Sequence, residues 1–253
     1  MTMESNGNLF VSNIKNRYLD ELQDDFQILA EIVLSQLEQL KLLINNTDDE
    51  NVHKLLSRNE KLIDSLDLSI KEKVINAIIL FTPKAVDLRK IMTYYDMTIS
   101  MERVGDLINN IAKSIKKTDF TIEGFSEFAK YLEKMQEYAS EMLKSAVFSF
   151  NGENYEMAYQ TILKDNKIDK WDKKIEKHIA EAFQDKTLSN QMLLNIMHIN
   201  VISYYIERIA DKAVDISSAA IYLIEGKDVR HDPSLSKKHK GDTDSSETEQ
   251  TPE

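Results

Sequence analysis

The chain lacks cysteine altogether and has little of the two residues that shape tight turns. Its 253 residues include no Cys, 6 Gly and 3 Pro. The absence of Cys excludes disulfide bonds, thiolate zinc sites and a cysteine nucleophile. Because turn-rich β architectures depend on Gly and Pro, their scarcity favours a fold of long helices.

The chain also lacks a long apolar run. The longest one, around Val74 to Phe81, is far shorter than the roughly 20 residues that a membrane-spanning helix needs. The first residues, Met1 to Asn8, are polar and do not resemble a secretory signal. We therefore expect a cytoplasmic protein with no direct membrane insertion.

Acidic residues outnumber basic ones, with 43 Asp and Glu against 32 Lys and Arg and a formal net charge of −11. Proteins that track nucleic-acid backbones need the opposite sign, because their affinity comes largely from neutralising phosphates. We therefore expect no nucleic-acid partner. The surplus of carboxylates is compatible with cation binding.

Apolar residues recur at helical spacing in six long segments. The first segment ends near Asn45, and the second runs from about Asp49 to Phe81. Thr82-Pro83 then restarts a third helix that reaches about Lys117, because Thr can cap a helix and Pro fits its first turn. The last helix is expected to end at Gly226, a residue type suited to helix C-termini.

The second half of the chain repeats the first with a constant offset. Glu102 and Asp106 recur as Glu207 and Asp211, 105 residues later, and the apolar spacing that begins at Phe26 recurs 106 residues later. The sequence therefore predicts an all-α fold made by internal duplication of two three-helix bundles. The expected boundaries are residues 1–118 for the first bundle, 119–232 for the second, and 233–253 for a disordered polar tail.

Both third helices carry a stripe of oxygen-bearing side chains at four-residue spacing, which places them on one helix face. The six candidate metal ligands are Glu102, Asp106, Asn110, Glu207, Asp211 and Asp215. A bridging cation would relieve the repulsion between these carboxylates, and oxygen donors suit hard cations and iron. Solvated surface carboxylates remain the alternative. The preceding helices contain further carboxylates that are either ligands or surface residues: Asp64, Asp67, Asp169 and Asp172.

The segments around these stripes resemble the two signatures of the PhoU family. The matching stretches are Lys84–Arg89 with Met101–Asp106, and Ile206–Asp211 with Ala220–His231. The similarity extends over nearly the whole chain, from about Phe10 to His231. Ala210 departs from the pattern, since the family usually has Gly there, but the change keeps a small residue.

The resemblance implies a regulatory adaptor of phosphate homeostasis and not an enzyme. Such proteins form dimers, associate with a phosphate ABC transporter and a membrane sensor histidine kinase, and repress the phosphate-starvation response when phosphate is abundant. Some members hold multinuclear metal clusters. Carried over to this chain, that predicts a centre of iron, or of magnesium, manganese or zinc, at Glu102, Asp106, Glu207 and Asp211, with Asn110 and Asp215 as weaker additions.

Two other classes of function remain open from the sequence. The carboxylate stripes are also compatible with a metal-binding protein or metalloenzyme in which they form the active centre. A helical accessory module that holds no metal is the third alternative. The family resemblance favours the regulator, and it implies neither an organic cofactor nor a catalytic residue.

Overall fold

The structure, a computed structural model, describes the backbone of residues 3–229 and the side chains of residues 13–229. This part of the chain contains seven α-helices and no strand, and none of its helices is long and apolar enough to cross a membrane. The all-helical prediction is confirmed, whereas the predicted disordered tail lies outside the described residues. The helices are α1 Met3–Asn45, α2 Glu50–Phe81, α3 Ala85–Ile115, α4 Ser126–Asn151, α5 Tyr155–Leu163, α6 Asp165–Phe183 and α7 Asn190–Glu225.

Two helix ends coincide with capping residues that the sequence indicates, whereas the predicted start of the third helix is wrong: Thr82 follows α2 with a left-handed φ of 40°, and α3 begins at Ala85 and not at Pro83. Asp49 caps α2, because its Oδ1 accepts hydrogen bonds from the backbone N–H groups of Asn51 and Val52 at 3.0 and 3.2 Å. Gly226 follows α7 with a φ of 73°, and its N–H donates to the carbonyl of Tyr222 at 2.9 Å. The predicted ends of the first, second and last helices are therefore confirmed.

The fifth helix that the sequence predicts is divided in two. Lys164 separates α5 from α6, and the N–H groups of Lys164 and Lys167 donate to carbonyls three residues back, both at 3.1 Å. Such tightened turns interrupt the α-helical hydrogen-bond ladder without needing Gly or Pro. Since neither residue type occurs at this point, the sequence contains no strong signal of the break.

The first half forms a three-helix bundle, as predicted, and the second half forms the same bundle with its middle helix divided into α5 and α6, but the two bundles share one hydrophobic core. Helices α1, α2 and α3 pack together, α7 packs against α4, α5 and α6, and contacts along α3–α7 and α1–α4 join the halves. Phe150 of α4 packs edge-on against Phe26 and Tyr94 of the first half, with ring centroids 5.6 and 5.1 Å apart. The α3–α7 contact places both acidic helices at the centre of the molecule.

Candidate functional site: two carboxylate clusters

The first cluster lies between α2 and α3. Glu102 and Asp106 project from α3, whereas Glu60, Asp64 and Asp67 belong to α2. The side chains of Glu60 and Asp106 are hydrogen-bonded to each other.

Burial among like charges makes the first cluster hard to ionise fully. Burial raises the pKa of Glu60 to about 7, and the hydrogen bond to Asp106 adds to the rise. Burial also raises the pKa of Glu102, with further contributions from Asp106 and Asp67. Lys71 Nζ lies 2.7 Å from Asp67 Oδ2, but the buried Asp67 Oδ1 has no hydrogen-bond partner.

The second cluster has the equivalent position between α6 and α7. Glu207 and Asp211 project from α7, and burial raises the pKa of Glu207 to about 7 and also raises that of Asp211. Burial likewise raises the pKa of Asp165, at the start of α6, to about 6. The other carboxylates that contribute to these shifts are Asp169, Asp172 and Asp215.

Basic and hydroxyl side chains compensate part of the negative charge in the second cluster. Arg208 donates to Asp211 Oδ2 at 2.8 Å, and its Nε lies 3.5 Å from Glu207 Oε2. Ser203 Oγ donates to Asp172 at 2.5 Å. The Glu207 Oε2 and Asp165 Oδ1 atoms are nevertheless buried without a hydrogen-bond partner. This leaves acceptor capacity that the protein itself does not satisfy.

The structure brings the predicted carboxylates of α3 and α7 together with six others from α2 and α6. Five of the six candidate ligands belong to the clusters, and Asn110 is partly buried one turn beyond Asp106. Our sequence analysis missed Glu60 and Asp165. They are also 105 residues apart, and each lies one turn before Asp64 or Asp169. Extending the repeat by one helical turn would have found them.

Small residues at the middle of α3 and α7 allow the neighbouring helices to approach. A Cβ atom on Gly105 would lie 3.0 Å from Ile63 Cδ1 of α2, tighter than ordinary carbon contacts. Ala210, at the equivalent position of α7, is fully buried. The second half therefore accommodates one additional methyl group at the point where the first half has glycine.

The donor chemistry of both clusters fits a hard cation. Carboxylate oxygens are the ligands that magnesium, manganese and iron accept, and three of them are buried and unsatisfied: Asp67 Oδ1, Asp165 Oδ1 and Glu207 Oε2. Among residues 13–229, however, no three Asp, Glu or His side chains converge closely enough to hold a metal ion. A cation at either cluster therefore requires the carboxylates to move closer together.

The fold and the clusters define a class of protein: a duplicated helical bundle whose halves each carry partly buried carboxylates between two helices. The profile of the PhoU domain matches this chain twice, over residues 26–115 and 132–220. These two segments cover most of the chain and contain the helices of both clusters. The chain belongs to the PhoU family.

Individual relatives match over nearly their full length. The chain is 27% identical over 213 residues to the phosphate-specific transport system accessory protein PhoU homolog of Clostridium acetobutylicum, covering 83% of this chain and 94% of that protein. It is 22% identical over 230 residues to the Escherichia coli accessory protein PhoU, with 89% and 91% covered. The crystal structure of the phosphate transport system regulatory protein PhoU from Streptococcus pneumoniae aligns with a TM-score of 0.75 at 22% identity, covering 85% of this chain and 99% of that one.

Proposed function

We propose that this chain is an accessory regulator of a phosphate ABC transporter. The observation that carries the proposal is the twofold match to the PhoU domain, together with curated relatives that are named accessory proteins of phosphate-specific transport. The regulator couples the transporter to a membrane sensor histidine kinase and represses the phosphate-starvation response when phosphate is abundant. Its place is the cytoplasm, where it acts as a homodimer and without catalysis.

The proposed mechanism is a change of partner preference with the state of the transporter. Such coupling requires that the transporter in two conformations binds the regulator with different affinity, because a partner can shift an equilibrium only through differential binding. The central position of α3 and α7 suits this role. A change in their packing would be felt in both halves at once.

The carboxylate clusters are proposed to bind a multinuclear centre of iron, or of magnesium, manganese or zinc. Their unsatisfied buried oxygens and the raised carboxyl pKa values support this assignment. Glu102 and Asp106 would hold the metal in the first half, and Glu207 and Asp211 in the second. Bound metal would supply positive charge that neutralises the clusters and ties α2 to α3 and α6 to α7.

The proposal is tested by phosphate-responsive gene output in a deletion strain grown with excess phosphate. We expect constitutive output in the deletion strain and repression when wild type is restored. A variant with Glu102→Gln, Asp106→Asn, Glu207→Gln and Asp211→Asn shows whether the clusters take part. The matched control changes four exposed glutamates to Gln: Glu21, Glu123, Glu127 and Glu176. Unchanged output in the deletion strain would refute the regulator.

A metal-handling protein or metalloenzyme is the second candidate, favoured by the two partly buried carboxylate clusters. Metal analysis of the purified protein tests this second candidate. Stoichiometric metal that disappears in the four-carboxylate variant, combined with normal phosphate repression in the deletion strain, would favour this alternative. Absence of metal together with lost repression would favour the regulator without a metal centre.

A further inference from the structure

The central helix of the first half, α3, carries one continuous stripe that changes character along its length. Leu88, Met92, Ile99, Glu102 and Asp106 follow each other at spacings that keep them on a single helix face. Leu88 and Met92 are 38% and 39% exposed, and Ile99 is partly exposed. The stripe is therefore apolar towards the start of α3 and acidic towards its end.

Helix α2 widens the apolar part of this stripe. Ile75 and Ile79 are 53% and 68% exposed and lie just before the α2–α3 connection, at the same end of the hairpin as Leu88 and Met92. Glu60 and Asp64, which precede Ile75 and Ile79 on α2, widen the acidic part in the same way. The exposed faces of the two antiparallel helices thus form one surface, here called the α2–α3 groove, with an apolar end and an acidic end. Met92 and Ile99 lie at its border with α7, where they line a cavity together with Asp215 and Tyr222.

The internal duplication preserves the stripe although nothing in the core requires it. Leu88 and Met92 recur 105 residues later as Leu193 and Met197, which are 45% and 62% exposed. Tyr204 takes the place of Ile99, and the acidic part follows with Glu207 and Asp211. Exposed Leu and Met at equivalent positions of both halves indicate a surface that is used, since single exposed apolar residues have no reason to recur in register.

We infer that the α2–α3 groove binds an amphipathic helix of a partner protein that is apolar at one end and rich in Lys or Arg at the other. The 19 residues from Leu88 to Asp106 span about 27 Å of helix, the length of a partner segment of about 18 residues. Apolar residues of the partner cover Ile79 and Met92, and its basic end meets the acidic cluster of the metal-free chain. The inference rests on the proposed function in one respect: it assigns this helix to the transporter or to the kinase.

The charge distribution favours this occupant over two others. An anionic lipid surface would be repelled by the acidic end of the groove. A second copy of this chain would present its own groove with the same acidic end, so the homodimer proposed above forms through another surface. A helix with a basic end has neither disadvantage, and its apolar end still removes exposed Ile, Leu and Met side chains from water.

The inference is tested with labelled synthetic helices of about 20 residues, which have leucines on one face at one end and four lysines at the other. Two peptides place the lysines at opposite termini, and two further peptides carry glutamate instead. Fluorescence anisotropy with the full chain, with and without a chelator, measures affinity. We expect a lysine peptide to bind and the glutamate peptides to bind at least tenfold more weakly.

Variants of the protein then locate the binding surface. Ile79→Ser with Met92→Ser is expected to weaken the lysine peptide about tenfold, because truncated apolar anchors commonly cost that much affinity. Leu42→Ser with Phe148→Ser, at exposed positions of α1 and α4, should leave it unchanged. Failure of both lysine peptides to bind at about 1 mM, or equal binding by the groove variant, overturns the inference.

Two further results would overturn it in favour of another occupant. Self-association that is lost in the groove variant would assign the groove to a second copy, and groove-dependent pelleting with anionic vesicles would assign it to lipid. The gene-output assay remains independent of these measurements. Lysine-peptide binding that the groove variant weakens, together with normal repression in the deletion strain, refutes the proposed function alone. Constitutive output in that strain without peptide binding refutes the groove alone.

Discussion

At the scale of single residues, the carboxyl groups of Glu60 and Glu207 link folding stability to pH. Burial raises both pKa values from 4.5 to about 7, so the folded chain binds these protons more tightly than the unfolded chain does. Their contribution is fully present below about pH 4.5 and is lost as the pH rises through about 7. The free energy of unfolding lost in this way is on the order of 1 kcal/mol for each carboxyl group, once solvent screening is allowed for.

The variant Glu60→Gln with Glu207→Gln is therefore expected to be more stable than wild type at pH 8 in the presence of a chelator. Denaturant midpoints measured from pH 5 to 8 should fall for wild type and fall less steeply for the variant, in which Asp165, with a pKa of about 6, still titrates. Glu123→Gln, at an exposed position in the connection between the halves, serves as the control and should follow wild type. A wild-type midpoint that rises over this range would contradict the expectation.

Gly226 is a second position at which the surroundings restrict which residue type fits. Its φ of 73° is one that residues with a side chain rarely adopt, and an added Cβ would lie 2.7 Å from the guanidinium nitrogens of Arg89. Arg89 in turn lies over the ring of Tyr222 at 5.6 Å, which connects the start of α3 to the end of α7. We expect Gly226→Ala to lower the free energy of unfolding by about 1–2 kcal/mol.

A double-mutant cycle separates the two causes of that loss. If displacement of Arg89 contributes, Arg89→Ala combined with Gly226→Ala should cost less than the two single changes together. If backbone strain at φ 73° is the whole cause, the two costs should simply add. Urea unfolding of the four proteins measures the difference, and an unchanged midpoint for Gly226→Ala alone would contradict the prediction.

At the scale of secondary-structure elements, the Asp49 cap is expected to hold the first turn of α2. Removing its carboxylate in Asp49→Ala leaves the N–H groups of Asn51 and Val52 without their acceptor and should cost about 1 kcal/mol. Ser189→Ala, which removes the corresponding cap of α7 at the Met192 N–H, should cost a similar amount. Thermal denaturation of both variants checks this, and a midpoint within error of wild type would show that the caps contribute nothing.

Much of the element arrangement could be predicted because local signals and the internal repeat agree. Asp49, Gly226 and the 105-residue offset are sufficient to place helix ends and to pair Glu102 with Glu207. The break at Lys164 could not be predicted, since it depends on packing and not on Gly or Pro. The partnership of Glu60 with Asp106 was equally hidden, because helical periodicity defines a face but not the residue opposite to it.

At the scale of the whole molecule, the duplication has produced two structural repeats and a single core. Apolar periodicity shows that each helix buries one face, but it does not say whether that face belongs to one bundle or to both. The contacts of α3 with α7 and of Phe150 with Phe26 and Tyr94 show that part of each core is supplied by the other half. A signal received by one half can therefore reach the other through packed side chains.

The shared core makes a final prediction about cooperativity. Phe150 is 2% exposed, so Phe150→Ala should cost about 3–5 kcal/mol and should lower the unfolding midpoint of both halves together. Trp171, the single tryptophan, reports on the second half by fluorescence, while hydrogen exchange at α2 amides reports on the first. Coincident transitions by both probes, shifted equally in the variant, are the expected result. Separate transitions, with only the second half destabilised, would show that the two bundles fold as independent domains and that the contacts between them do not couple their stability.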